Sequence, residues 1–333
     1  MATSDGTELP QGFSFRNCKD YVDVFPQYCK YDESYYLYRI EVVPNAVFAG
    51  LFALSFLGFA AVFVLTRFRN VGFTVALLLG VLCEVLGYMG RIMSWQDQWS
   101  ENGFLIQICC LTIGPAFMAA GIYFCLRSII ITFGAENSRL NPLWYPRIFI
   151  PCDVISLILQ AVGGGMASVA SHNRTDIDPG NNIMIAGLAF QVFTLLVFII
   201  FAVDFAIRTL RRGPAALDHD PALVRLRASW SFRLFLGALS LSTICIFWRS
   251  VYRVAELSEG WTGPLMRKQG MFIGFEGVMV VVAVLVLNVW HPNLCFQGME
   301  HITGKSGNVR PKSSPAQSSG EEEQKVSGSH VPR

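Results

Sequence analysis

The chain has 333 residues, of which 53% are hydrophobic and only 15% charged, with a mean hydropathy of +0.43. Soluble domains carry about 25% charged residues, so an ordinary soluble domain is excluded, and a formal net charge of +2 excludes a strongly basic nucleic-acid binder. The apolar residues gather in runs long enough to cross about 30 Å of hydrocarbon, which predicts an all-α membrane protein.

Residues 1–43 form a polar segment of mixed charge, without the apolar core of a cleavable signal. The first apolar run, 44–66, then serves as its own insertion signal. Arg67-Phe-Arg69 follows it, and basic flanks stay cytoplasmic, so the N-terminus is expected outside. Six more runs follow at 71–93, 104–131, 148–171, 183–207, 232–256 and 271–290. The predicted fold is a seven-transmembrane helix bundle over residues 44–292 with a cytoplasmic C-terminus. The loops assigned inside carry Arg67, Arg69, Arg139, Arg147, Arg208, Arg211, Arg212, Arg225 and Arg227; those outside carry Arg174, Arg267 and Lys268. Tryptophans 95, 99, 144, 230, 261 and 290 fall at span ends, where indoles favour the headgroup layer. Residues 293–333 are rich in Ser, Pro, Gly and charge, and are expected to form a disordered cytoplasmic tail.

The nine cysteines show no zinc-type spacing. Cys18 and Cys29 lie in the polar leader, where an oxidising compartment permits a bridge between them. Asn173-Arg-Thr175 is the one N-x-S/T sequon and falls in an outside loop, which makes Asn173 a candidate glycosylation site.

The polar residues inside the spans carry the functional argument. Glu84 and Arg91 stand seven residues apart, two turns along one helix face. Either one facing lipid at mid-bilayer costs at least about 2.5–3.5 kcal/mol, so this face must look into protein. In the third span Gln107 is followed by Gly114-Pro115, where proline removes a backbone hydrogen bond and a kink is expected. In the fourth, Asp153, Ser156 and Gln160 share a face, and Gly163, Gly164 and Gly165 permit close helix approach or a weakened helix beside a cavity. Gln191 lies in the fifth span. Arg249, Arg253 and Glu256 share a face of the sixth, and Glu276 lies in the seventh. The topology puts Glu84, Arg91, Arg249, Arg253, Glu256 and Glu276 at similar depth, which predicts a charge cluster lining an outward-facing cavity. Gly87 and Gly90, between the two charges of the second span, are candidate packing positions.

Several functions find no support. The chain lacks a G-x-x-x-x-G-K-[ST] phosphate loop. It has no lysine between Lys30 and Lys268 for a retinal Schiff base. His172, His219, His291, His301 and His330 lie outside the span interiors, so neither a zinc hydrolase nor a Ser/His/Asp enzyme is expected. No cofactor, metal or nucleic acid is predicted.

An ordered set of motifs runs from about Val43 to Pro292. It includes Pro44-Asn45, Glu84 with Gly87-Tyr88-Met89-Gly90-Arg91, Gln107, Gly114-Pro115, Asp153, Gln160, Gly163-Gly164 and Gly187-Leu188 with Gln191. It closes with Arg249, Tyr252-Arg253, Glu256, Glu276 and His291-Pro292. In this set the chain resembles the fungal lipid-translocating exporter family, the RTA-like seven-span proteins. The resemblance implies a fungal multi-pass protein, commonly of the plasma membrane, linked to resistance to toxic amphiphiles and sterol analogues, to release of sphingoid long-chain bases and to tetrapyrrole movement, and it supplies no catalytic residues; sphingoid bases, sterol-like compounds and phospholipids are the expected substrates. The expected function is export or translocation of an amphiphilic lipid without ATP hydrolysis, with membrane lipids or amphiphilic small molecules as partners. A seven-span sensor or receptor and a regulator of membrane-protein turnover are the competing readings.

Overall fold

The computed structural model describes residues 38–68, 70–173, 175–212, 221–260 and 268–295, with positions 34, 36, 263 and 265. All belong to a compact unit, Met1–Gln297. Cys18, Cys29, most of the polar leader and the tail from residue 296 lie outside the described residues.

The described residues form helices and turns only. In chain order these are α1 (Val42–Leu65), α2 (Val71–Gln96), α3 (Glu101–Phe133), α4 (Trp144–His172), α5 (Asp178–Arg212), α6 (Pro221–Ala228), α7 (Trp230–Ser258) and α8 (Gln269–Phe272). A π-helical segment, Ile273–Val278, leads into α9 (Met279–Val289), and α10 (Pro292–Cys295) follows. Seven helices are long and apolar enough to cross a membrane, the seventh being α8, the π segment and α9 together. Several helices overrun the apolar stretches that signal them. For example, α5 continues to Arg211 and Arg212, two basic residues that suit a helix C-terminus. The short α6 lies outside every predicted run, while the π segment falls inside the 271–290 run, whose apolar pattern does not distinguish a π turn from an α turn.

The ends of the bundle differ. At the near end, where the chain enters α1, lie the last turns of α2, α4 and α7 and the starts of α3, α5 and α8. At the far end the α1–α2 turn is tight, with Arg67, Phe68 and Asn70 all at positive φ. Polar side chains clamp it: Asn70 Nδ2 donates to Asn293 Oδ1 (2.8 Å), and Asn293 Nδ2 to Thr66 Oγ1 (3.0 Å).

Helices pack most extensively in the pairs α2–α3 and α4–α5. Both seams depend on glycine. A Cβ on Gly80 of α2 would stand 2.9 Å from the Gly114 carbonyl of α3, and one on Gly90 would stand 2.9 Å from the Gln107 nitrogen. With no lipid-driven hydrophobic gain between spans, such close backbone approach supplies the packing. The ring closes through α7 against α5 and α9, and α9 against α1. Large apolar side chains such as Leu54, Leu57, Phe193, Ile200 and Val203 cover the outside, as lipid contact requires.

Candidate functional site

A cluster of six charged residues occupies the near half of the bundle between α2, α3, α7 and the seventh span. All six are buried, each no more than 3% exposed. They are stacked in layers.

The deepest layer centres on Arg249, nine residues (about 13 Å) inside the near end of α7. Its Nη2 donates to Glu276 Oε1 at 2.5 Å, an ion pair closed to solvent. The same nitrogen donates to the Leu111 carbonyl. Pro115 explains why that carbonyl is free. An α-helical N–H bonds the carbonyl four residues back, and Pro115 has no N–H to give to Leu111. The orphaned acceptor turns to an arginine on another helix. The expected disturbance at Gly114-Pro115 thus becomes a ligand for the charge cluster, while α3 itself continues unbroken to Phe133. Glu276 lies in the π segment, whose wider turn carries it.

Glu84 sits against this layer. A Cβ on Gly114 would meet its Oε1 at 2.8 Å, so glycine makes room for the carboxyl. Neither Glu84 oxygen has a hydrogen-bond partner, although Arg249, Glu276 and Arg253 all act on it electrostatically. The Tyr88 hydroxyl, one turn on, is buried without a partner too. Its ring packs on Phe48 and Phe52 of α1.

In the middle layer Arg253 Nη1 donates to Glu256 Oε2 at 2.5 Å, one turn along α7. Tyr252 donates to the other Glu256 oxygen at 3.4 Å. The outermost layer holds Arg91. Among the described residues it makes no ion pair; its Nη2 donates to Tyr38 at 2.5 Å and its Nη1 to Gln107 Oε1 at 3.3 Å. Its guanidinium lies 3.9 Å from the Phe272 ring centroid, a cation–π contact. Tyr36 donates to the same Gln107 oxygen at 2.7 Å. Burial pushes the Tyr36 hydroxyl up to about 12, against the opposing pull of Arg91. Tyr36 therefore remains a neutral phenol at physiological pH.

Between the outer and middle layers Arg91, Gln107, Arg253, Glu256, Tyr36 and Tyr38 surround a void with room for about one water molecule. The anticipated outward-facing cavity is in this conformation a packed, nearly closed stack. Packing of Tyr36 and Ile40 with Phe104 and Ile108 closes it from the near end.

The remaining predicted residues lie elsewhere. Tyr123 donates to Asp153 Oδ2 at 2.9 Å, and Gln160 Nε2 donates to Gln191 Oε1 at 3.0 Å. Asp153 is nine residues from the far end of α4. Among the described residues no hydrogen bond or ion pair joins this group to the six charges. Gly163 meets α5 directly, since a Cβ there would stand 2.4 Å from the Met184 nitrogen. A Cβ on Gly164 would reach only the Met184 sulfur, at 3.7 Å, and one on Gly165 nothing within 4 Å. On α2, Gly87 packs against Leu111. Asn173 is exposed in the turn after α4. Sequence reasoning passed over Tyr36, Tyr38, Phe272 and the Leu111 carbonyl as parts of the site. The available signals were the aromatic run Tyr35-Tyr-Leu-Tyr38 and the position four residues before Pro115.

Among the described residues no cluster of His, Cys, Asp or Glu could hold a metal ion. The arrangement holds desolvated charge in apolar surroundings.

Comparison with known proteins agrees with this architecture. The model of the family described as RTA1 like protein matches residues 77–299. A protein of Saccharomyces cerevisiae named sphingoid long-chain base transporter RSB1 is 33% identical over 272 residues, covering 74% of this chain and 71% of its own. Two more from that yeast are more distant. Protoporphyrin uptake protein 1 is 28% identical over 63% of this chain and 65% of its own, and Protein RTA1 is 29% identical over 66% of each. No solved structure matches. With two thirds of its length matched by the family model and its bundle of seven spans, the chain belongs to the RTA1-like family.

Proposed function

We propose that this protein translocates an amphiphilic lipid, moving its charged headgroup through the layered charge cluster while the apolar tail stays in hydrocarbon. The observation that carries this reading is the pair of solvent-free ion pairs, Arg249–Glu276 and Arg253–Glu256, stacked in the near half of the bundle. Buried ionic pairs add little stability compared with apolar packing, so stability alone is a poor reason to keep two of them. The name of the sphingoid long-chain base transporter supports an amine-bearing amphiphile; that of the protoporphyrin uptake protein supports a wider range of amphiphiles.

In this reading Glu256 and Glu276 exchange their arginine partners for the substrate's ammonium, and Glu84, already without a donor, is the deepest acceptor. Because the void holds only about one water, the near-end layer must part before a headgroup enters. The near end faces the cell exterior, the membrane is the plasma membrane, and the work is done without ATP hydrolysis. Resistance to toxic amphiphiles follows from their removal.

The test is transbilayer movement of a fluorescent sphingoid base in liposomes that hold only this protein. Movement faster than in protein-free vesicles, without nucleotide, is expected. Glu256→Gln and Glu276→Gln should each slow it. Equal rates with and without protein would refute the proposal.

A further inference from the structure

Three arginines share the charge cluster, and among the described residues two of them are ion-paired to a carboxylate. Arg249 has Glu276 and Arg253 has Glu256. Arg91 is 1% exposed, yet the described residues that hold it, Tyr38, Gln107 and Phe272, are all neutral. Of its five N–H donors, two are used, by Tyr38 and Gln107, and its Nε has no partner. A buried cation left in this state is costly unless something neutralises it. Tyr36 does not, because its hydroxyl stays protonated. The void beneath Tyr38 is bordered by two guanidiniums, Arg91 and Arg253, and by one carboxylate, that of Glu256. Among the described residues its lining therefore has one more basic side chain than acidic ones. The planar guanidinium of Arg91, backed by the face of Phe272 at 3.9 Å, is the geometry that receives a carboxylate or phosphate through two parallel hydrogen bonds.

We propose that Arg91, with Gln107 and Arg253 beside it, is a binding site for an oxyanion, and that the Tyr38 hydroxyl holds its place when no anion is bound. The hydroxyl occupies the guanidinium nitrogen that faces the chain before α1, so an arriving phosphate or carboxylate displaces Tyr38 from it. This goes beyond transport of an amine: the site reads negative charge, whichever lipid the acidic residues deeper in the stack accept.

The experiment uses the full chain purified in an uncharged maltoside detergent, with thermal stabilisation as the readout. The probes are dodecyl phosphate, dodecanoate, dodecanol and inorganic phosphate. The two anionic amphiphiles should stabilise the protein saturably and dodecanol should not. Arg91→Gln should weaken both anions at least about tenfold, the loss of one hydrogen bond to a charged group. Dodecyl phosphate binding far more tightly than inorganic phosphate assigns the site to a lipid headgroup; equal affinities assign it to a free anion, and both support an oxyanion site. Equal binding of the anionic amphiphiles by wild type and Arg91→Gln, or binding of dodecanol as tight as that of dodecyl phosphate, overturns it. Tyr38→Phe gives a result of opposite sign, since it frees the guanidinium: tighter anion binding supports the site, and unchanged or weaker binding overturns it. That arm stands alone if Arg91→Gln does not fold. A sphingoid base that fails to cross the membrane leaves these binding results unaffected.

Discussion

Two groups of polar side chains lie within the spans, and they are built on different principles. The group around α4 is a set of side-chain pairs between neighbouring helices, Asp153 with Tyr123 of α3 and Gln160 with Gln191 of α5, beside an α4–α5 glycine contact so close that no side chain fits. The near-half cluster draws charges from α2, α7 and the seventh span, takes in a carbonyl that proline has freed, and leaves the Glu84 carboxyl, the Tyr88 hydroxyl and Arg91 Nε without hydrogen-bond partners among the described residues. The first group has what helix association requires. The second carries more desolvated charge than association requires, and some of it is unmatched. Among the described residues both groups leave buried polar atoms without partners, Asp153 Oδ1 and Gln160 Oε1 in the first, so glue and machinery separate by how much charge each keeps out of water.

The sharpest way to break this comparison is to remove half of a buried pair. Glu276→Ala leaves Arg249 buried without its carboxylate, and a loss of about 3–5 kcal/mol is expected. It should show as a lower unfolding midpoint in detergent, or as loss of monodisperse protein. Replacing both members, Arg249→Met with Glu276→Leu, should recover most of that stability and still abolish translocation. If the double variant is as unstable as the single one, the pair is structural glue after all.

Within the α4–α5 seam the glycine triplet offers its own contrast. Gly163→Ala forces a methyl to within 2.4 Å of the Met184 nitrogen, and overpacking of this kind costs about 1–3 kcal/mol. Gly165→Ala, with open space around it, should be neutral or should gain up to about 1 kcal/mol of helix propensity. Thermal unfolding of the two variants side by side measures the difference. Equal effects would mean that the seam is not the close contact described.

How far the sequence could be read follows the same physics. Seven spans were legible because each needs about 20 apolar residues, and long runs announce themselves. Intramembrane charges were legible as inward-facing because lipid forbids the alternative. Which of them meet was not. Periodicity puts Asp153 and Gln160 on one face, as it does Arg249 and Arg253, but it says nothing of the helix opposite. It could not separate the Asp153 group from the charge cluster. Arg249 reaches Glu276 through a π segment, Ile273–Val278, and two glycines at 274 and 277 are a weak sign of one. Arg91 meets Tyr38, four residues before α1, a tertiary contact with no period to betray it. Pro115 was legible as a break in hydrogen bonding; the donor that repairs it lies 138 residues away.

That repair can be measured. Pro115→Ala restores an N–H to α3, which then competes with Arg249 for the Leu111 carbonyl. In wild type the alanine displaces an existing hydrogen bond. In the Arg249→Met, Glu276→Leu background it satisfies an orphaned acceptor. The stabilisation from Pro115→Ala should therefore be greater in that background by about 1 kcal/mol, the net worth of one hydrogen bond. An identical effect in both backgrounds would detach the proline from the charge cluster.

The smallest effect is expected where the polar group is glue. Gln160 and Gln191 bond each other, and interhelical hydrogen bonds in membranes average only about 0.6 kcal/mol. Gln160→Leu alone leaves the Gln191 amide without its partner. Gln160→Leu with Gln191→Leu removes both polar groups from apolar surroundings and should leave the unfolding midpoint within experimental scatter, since replacing both partners is close to neutral. Translocation should continue at the wild-type rate in this variant. If it stops while the fold persists, Gln160 and Gln191 belong to the path, and the division between glue and machinery moves from the α4–α5 seam to somewhere beyond it.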